Sequence, residues 1–274
     1  MHNIEKYFTA PFTFSQSSLQ DYVDCPRRFQ LRYLDKMQWP AVETAPVLEN
    51  ERRQIEGQLF HRMVQQYLIG LPADKLTGLA STDKLRRWWE NFLTHGPTVA
   101  GYSLFTELTL SAPVGNHRLI AKYDLVAVKP GTQTLIFDWK TYHKRPKDNW
   151  MADRLQTKVY PALLIQAGKH LNSGKEFTPE QIEMVYWYAD FPDEPVKFTY
   201  NQSQYTDDWK KMEQLVREIT VKQSFPLTED EKKCSFCVYR SYCERGDRAG
   251  EGEALDAEVS AEDINIEQIQ EIEF

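Results

Sequence analysis

The chemistry in this chain is concentrated in two short stretches. In TLIFDWKTY, Asp138 and Lys140 are two residues apart, so on a strand both project from one face. In LIAKYDLVAV, Asp124 interrupts a run of good strand formers. Pairing these stretches through a five-residue loop, Lys129 to Gln133, sets Val128 opposite Thr134 and therefore Asp124 opposite Asp138. Two carboxylates facing each other repel on a bare sheet. A divalent cation between them removes the conflict, and the neighbouring lysine can orient or activate a water. Asp-x-Lys alone also fits a pair of solvated strand ends, so the surrounding residues decide its weight.

Those residues lie on flanking helices. A helix from about Glu49 to Gly70 carries His61 on the rim of its apolar stripe, with Gly57 one turn earlier leaving space. His61 can thus reach over the sheet edge as a third metal ligand, or serve as a half-buried polar residue. A helix from about Met151 to Leu171 carries Gln156 and Tyr160, one turn apart and open to one groove. Glu107, on the first of three strands, has no assignable role.

The set Gly57-x3-His61, Asp124, Asp138-x-Lys140 and Gln156-x3-Tyr160 resembles the PD-(D/E)xK nuclease superfamily, in the order and spacing of its RecB-type branch. The cysteines, Cys25 upstream and Cys234, Cys237 and Cys243 downstream as C-x2-C-x5-C, resemble those of its iron–sulfur members. These include the CRISPR-associated iron–sulfur nucleases and the AddB-type recombination nucleases. The resemblance spans about residues 14–246. It implies that His61, Asp124, Asp138 and the backbone carbonyl of Trp139 bind Mg²⁺ or Mn²⁺. It implies that Lys140 supports the attacking water and that Gln156 and Tyr160 handle DNA. It also implies cleavage of DNA, as an exonuclease on single-stranded ends, in repair, recombination or CRISPR-related processing. The alternative is a non-catalytic DNA-binding or assembly subunit that keeps the fold; the complete set of His61, Asp124, Asp138 and Lys140 argues against it.

Four thiolates suit either zinc or a [4Fe–4S] cluster, and the resemblance favours the cluster. The long gap between Cys25 and Cys234 makes such a centre a clasp between the two ends of the domain. Basic residues sit beside the motifs: Lys144 and Arg145 after the third strand, and Arg154 near Gln156. These are expected to meet phosphates. Tyr142 and Trp150 could stack on bases, whereas Trp139 points away from Asp138 and is expected in the core.

The elements that must position these groups can be read from the same sequence. The segment FSQSSLQDYVDCPRRFQLRYL reads as a helix capped by Ser17 or Ser18 and broken at Pro26. A further helix ends at Gly96. Three strands follow, LFTELTLS, HRLIAKYDLVAV and QTLIFDWK, joined by APVGN and KPGTQ as an antiparallel meander. After the Gln156 helix come strands at QIEMVYWYAD and VKFTY and a helix from about Asp207 to Lys222. The order is a mixed α/β pattern. With the resemblance it implies a restriction-endonuclease-like core, a mixed sheet flanked by helices as αβββαβ, within a nuclease domain of residues 1–246. A helical insertion falls at about 71–100, and the cysteine clasp joins the ends.

Composition sets the remaining bounds. Among 274 residues, 41% are hydrophobic and 27% charged, as in globular domains. No apolar run approaches the ~20 residues of a membrane helix, and residues 1–12 show no secretory pattern, so a cytoplasmic protein without membrane contact is expected. The net charge is −7, but residues 247–274 hold ten acids and one base, leaving the body at +2. That tail, with spaced isoleucines and a final Phe274, is expected to be a solubilising end, a partner-binding peptide or a DNA mimic. Phosphate-binding glycine loops, HExxH and G-x-S-x-G are absent.

Overall fold

The computed structural model describes residues 7–8, 10–37, 45–235 and 237–246, with the backbone alone for 45–51. The acidic segment 247–274 lies outside the described residues.

Strand β1 (Thr13–Ser15) leads into helix α1 (Gln16–Asp24). The cap is Ser15, not Ser17 or Ser18: its side chain accepts from the Ser18 amide while Ser18 Oγ accepts from the Ser15 amide. The reason is tertiary. β1 pairs with a later strand and holds the chain extended as far as Ser15. Pro26 breaks the helix as expected and starts α2 (Pro26–Phe29), which runs into a π-helical turn, Gln30–Leu34. Helix α3 (Ala45–Leu68) stops before Gly70, whose φ of 101° suits glycine. Helices α4 (Ala73–Thr77) and α5 (Asp83–His95) follow, the latter capped by Thr82.

Strands β2 (Ser103–Val114), β3 (His117–Lys129) and β4 (Gln133–Lys140) form the expected meander. The single helix expected over 151–171 is two, α6 (Asp148–Asp153) and α7 (Leu155–Ala167). Arg154 between them is extended, with ψ of 141°, and α7 ends at Gly168, where a Cβ would lie 2.5 Å from the Leu164 carbonyl oxygen. Then come β5 (Ile182–Tyr188), β6 (Phe191–Thr199) and α8 (Gln202–Val221). Helix α8 begins five residues before the expected Asp207 because Asn201 caps it, accepting from the Gln204 amide.

The result is a mixed α/β fold of the restriction-endonuclease-like kind. The β3–β4 register is the one read from the sequence, with Val128 opposite Thr134. β4 and β5 are parallel, and β5 and β6 antiparallel. One face of the sheet packs on α1, α7 and α8 around Phe14, Tyr123, Val159 and Ile219. The other packs on α3 and α5 around Phe60, Trp88, Trp89 and Trp187.

Two features of β3 prepare the site. First, β2 occupies one edge of β3 along its length, so β1 and β4 share the other. β1 takes residues 118–120 and β4 takes 125–129. The stretch 121–124 between them is a gap in the sheet. Second, the alternation of faces slips there. Leu119, Ala121 and Tyr123 face the α7 side, but so do Val126 and Val128. On β2 the matching irregularity is Glu107, which drops out of the ladder with φ of 52°. Asp124 therefore sits where the sheet splits and twists out of register with its own strand.

Candidate active site

The members of the site come from four elements, α3, β3, β4 and α7. Asp138 and Lys140 occupy the end of β4, on the α7 side, where both are almost fully buried. Gln156, in the first turn of α7, is buried between them. Its Nε2 donates to Asp138 Oδ1 at 2.5 Å, and its Oε1 accepts from Lys140 Nζ at 3.0 Å. Lys140 Nζ also lies 3.0 Å from Asp138 Oδ2. One amide thus fixes an acid and a base two residues apart on a strand.

His61 comes from α3 on the opposite side of the sheet. Its Nδ1 lies 3.2 Å from Asp124 Oδ1. The other Asp124 oxygen accepts from the Trp139 amide at 2.8 Å. Here a side chain takes a strand N–H at the point where the β3–β4 ladder, ending at Leu125 and Phe137, gives out. Tyr160 closes the gap from the α7 side, donating its hydroxyl to the Lys122 carbonyl at 2.8 Å. Tyr123 reciprocates, donating to the Tyr160 carbonyl at 2.9 Å. Gly57 lets α3 approach: a Cβ there would lie 3.2 Å from Thr141 Oγ1, just past Lys140.

The electrostatics follow from this packing. Burial alone would lower the pKa of His61, but Asp124, with smaller effects from Asp138 and Glu107, raises it from 6.5 to about 9. Asp124 is held low: burial opposes its charge, and His61, the Trp139 amide and Lys140 more than offset that. Both Asp138 and Asp124 act on His61 and on Tyr160. The two carboxylates therefore share one site. Glu107, unassigned from the sequence, pairs with Lys122 at 2.6 Å and contributes to the charge around His61.

Two carboxylates and an imidazole form a donor set that suits a hard divalent cation with tolerance for Mn²⁺. Their charge is balanced here by Lys140 and by the proton on His61. Among the described residues, no three His, Cys, Asp or Glu side chains are gathered closely enough to hold a metal ion; at this site the carboxylate oxygens are engaged by His61, the Trp139 amide, Gln156 and Lys140.

The residues expected to meet DNA divide into two groups. Gln156 and Tyr160 are buried, and the structure gives them roles inside the wall of the site. Lys144 is exposed. Arg145 pairs with Asp148 at 2.8 Å and Glu194 at 3.6 Å, and Arg154 lies over the Trp150 ring at 4.8 Å. Trp139 is in the core beside Phe137 and Phe92, as its strand position requires. Sequence reasoning missed Tyr123, which bonds across the gap to the Tyr160 carbonyl, and Tyr188, the register partner of Lys140 on β5. Neither has a local signal, because both read as ordinary strand residues in the sequence.

The four cysteines are free thiols. Cys25 ends α1, and the other three lie on the turns Glu231–Cys234 and Arg240–Cys243 and between them. Burial raises the thiol pKa of each of the three, and Cys25 acts on all of them. Contacts hold the two ends together: Lys233 Nζ lies 3.2 Å from Asp24 Oδ1, the Arg27 amide donates to the Pro226 carbonyl, and Phe29 stacks on Phe225.

A family model described as the PD-(D/E)XK nuclease superfamily matches residues 13–244. No curated protein matches significantly. Among solved structures, the chain is similar to that of SSO0001, at 13% identity and TM-score 0.43, covering 84% of this chain and 85% of that one. Another is a "Putative exonuclease" from Eubacterium rectale, at 10% identity and TM-score 0.45, covering 93% and 94%.

Proposed function

The chain belongs to the PD-(D/E)XK nuclease superfamily, and on that premise we propose a metal-dependent exonuclease that cleaves phosphodiester bonds at single-stranded DNA ends. Nuclease action on DNA follows from the family; the preference for single-stranded ends, a role in repair, recombination or CRISPR-related processing, and a cytoplasmic setting are our reading. The observation that carries it is the meeting of His61, Asp124, Asp138 and Lys140 where the β3–β4 ladder ends, with Gln156 bridging Asp138 and Lys140.

His61, Asp124, Asp138 and the Trp139 carbonyl would hold Mg²⁺ or Mn²⁺. When bound, such an ion supplies charge against the phosphoryl oxygens and makes a hydroxide-like nucleophile accessible near neutral pH. Lys140 holds the attacking water and offsets charge that develops on the phosphate. Gln156 keeps the lysine and Asp138 in one fixed relation, so little reorganisation is needed as the reaction proceeds. Tyr160 anchors α7 to the strand gap. Lys144, Arg145 and Arg154 lie on the segment after β4 and extend positive charge toward the DNA backbone.

The reading further assigns the four thiols to a [4Fe–4S] cluster that clasps the ends of the domain, in preference to zinc. Their mutual electrostatic influence and the absence of a disulfide among them support this. Iron and sulfide in anaerobically purified protein are the expected result; stoichiometric zinc without iron overturns it. The segment 247–274 is assigned to a protein partner, and its deletion should leave DNA affinity nearly unchanged. The test of the whole reading is digestion of end-labelled DNA with Mn²⁺ or Mg²⁺. Loss of cleavage in Asp138→Ala is expected, and equal cleavage by that variant would place the chemistry elsewhere.

A further inference from the structure

Next to Lys140 lies a buried hydroxyl that the site as described does not use. Tyr188 ends β5, and in the parallel β4–β5 register it is the partner of Lys140, as Tyr186 is of Asp138. Parallel register partners share a face, so Tyr188 and Lys140 stand side by side, ~4.8 Å apart at the backbone. Tyr186 is satisfied by Thr157, their hydroxyls 2.8 Å apart. Tyr188 is fully buried, and its hydroxyl has no hydrogen-bond partner among the described residues. A buried polar atom left in this condition calls for a reason.

Its surroundings supply one. Lys140, Arg145, Asp138 and Asp148 all act on the phenol, and the Arg145 guanidinium lies over its ring, 5.6 Å from the centroid. Lys140 and Arg145 flank this unused donor, and although Asp138 and Asp148 oppose their charge, two cations beside a donor hydroxyl suit an anion. Burial keeps the phenol protonated, its pKa pushed up to about 12, so the hydroxyl can donate. Arg145 pairs with Asp148 and Glu194, whose side chains are 60% and 64% exposed, and also donates to the Glu194 and Pro146 carbonyls. Ion pairs with such exposed partners are worth little, and an arriving phosphate can take the guanidinium from them.

We propose that the Tyr188 hydroxyl, with Lys140 and Arg145, forms an anion subsite that donates to a non-bridging oxygen of the phosphodiester in the active site. Tyr188 is thereby a substrate-binding residue held on rigid sheet rather than on a loop. This rests on the nuclease reading above, and deepens it by naming a contact to the substrate. No bond is made or broken at the phenol; it contributes a hydrogen bond to charged oxygen, which is stronger than one between neutral groups.

The test is Tyr188→Phe, which keeps the ring and removes only the hydroxyl. Two readouts are taken beside wild type: the melting temperature without DNA, and affinity for a short DNA oligonucleotide without divalent ions, where cleavage does not interfere. The melting temperature should be unchanged or raised, because an unpaired buried hydroxyl contributes nothing to the fold. DNA affinity should fall about tenfold. A clear drop in melting temperature would show that the hydroxyl has a structural partner, and overturns the subsite. Equal DNA affinity of the two folded proteins also overturns it, with the nuclease reading intact. Wild type that neither binds nor cleaves DNA overturns the nuclease reading itself, and the subsite with it.

Discussion

Protonation of His61 should govern both the stability of the metal-free protein and its hold on a cation. The imidazole is raised from 6.5 to about 9 by its carboxylate neighbours. The sign follows from linkage. A raised pKa means the folded state binds the proton more tightly, so the stabilisation is complete below pH 6.5 and is lost as pH rises to about 9. Asp124 is lowered, so the same pair also weakens as pH falls below the ordinary carboxylate range. The pair thus supports the fold best between about pH 4 and 6.5, by an amount on the order of 3 kcal/mol for a shift of this size. In chelator, wild type should be more stable than His61→Gln at pH 6, and the difference should shrink toward pH 9. A cation must displace that proton. At pH 7 only about 1% of the imidazole is neutral, so the apparent affinity for Mn²⁺ should rise about tenfold per pH unit up to about pH 9. Calorimetry in buffers of different ionisation enthalpy should report about one proton released per ion. Mn²⁺ affinity that does not change between pH 6 and 8, with no proton release, would refute the assignment of His61 as a ligand.

Gln156→Met keeps the volume but removes two hydrogen bonds to buried charges, each worth about 1.5–3 kcal/mol; with the direct Asp138–Lys140 pair retained, a loss of about 3 kcal/mol is expected in chemical denaturation, together with loss of cleavage. Lys140→Ala should abolish cleavage and also destabilise, because it leaves Asp138 buried without its cation; a double variant, Asp138→Asn with Lys140→Met, should recover stability but not activity. Gly57→Val drives a side chain against Thr141 and should cost about 1–3 kcal/mol by overpacking, with activity falling further than stability as measured on the same preparation. Cys25→Ser should lower the melting temperature of the whole domain, since it opens contacts between segments about 200 residues apart.

Much of the site was legible because strand geometry is local. The short turn between β3 and β4, expected over Lys129 to Gln133 and narrowed in the structure to 130–132 with Lys129 and Gln133 paired, forces the pairing of Val128 with Thr134, and Asp124 and Asp138 come level. Asp138 and Lys140 share a face for the same reason, and a four-residue spacing aligns Gln156 with Tyr160 on a helix. Helix starts were less legible. Ser15, Ser17 and Ser18 are chemically equivalent caps, and the choice falls to Ser15 because β1 pairs with β3, far along the chain. The break at Arg154 follows no proline or glycine.

The amino-acid sequence by itself determined the kind of chemistry: which carboxylates, lysine and histidine are present, and their spacing within each element. That information is carried by short-range periodicity, which survives without knowledge of the fold. Only the tertiary structure decided where those groups meet. β1 and β4 compete for one edge of β3 and leave a gap, and the strand slips its alternation at Asp124 opposite the left-handed Glu107. Neither event has a local signature, because each depends on which distant strand occupies an edge. The same is true of Tyr188, an ordinary strand residue in sequence that becomes a neighbour of Lys140 only when β5 adds in parallel to β4.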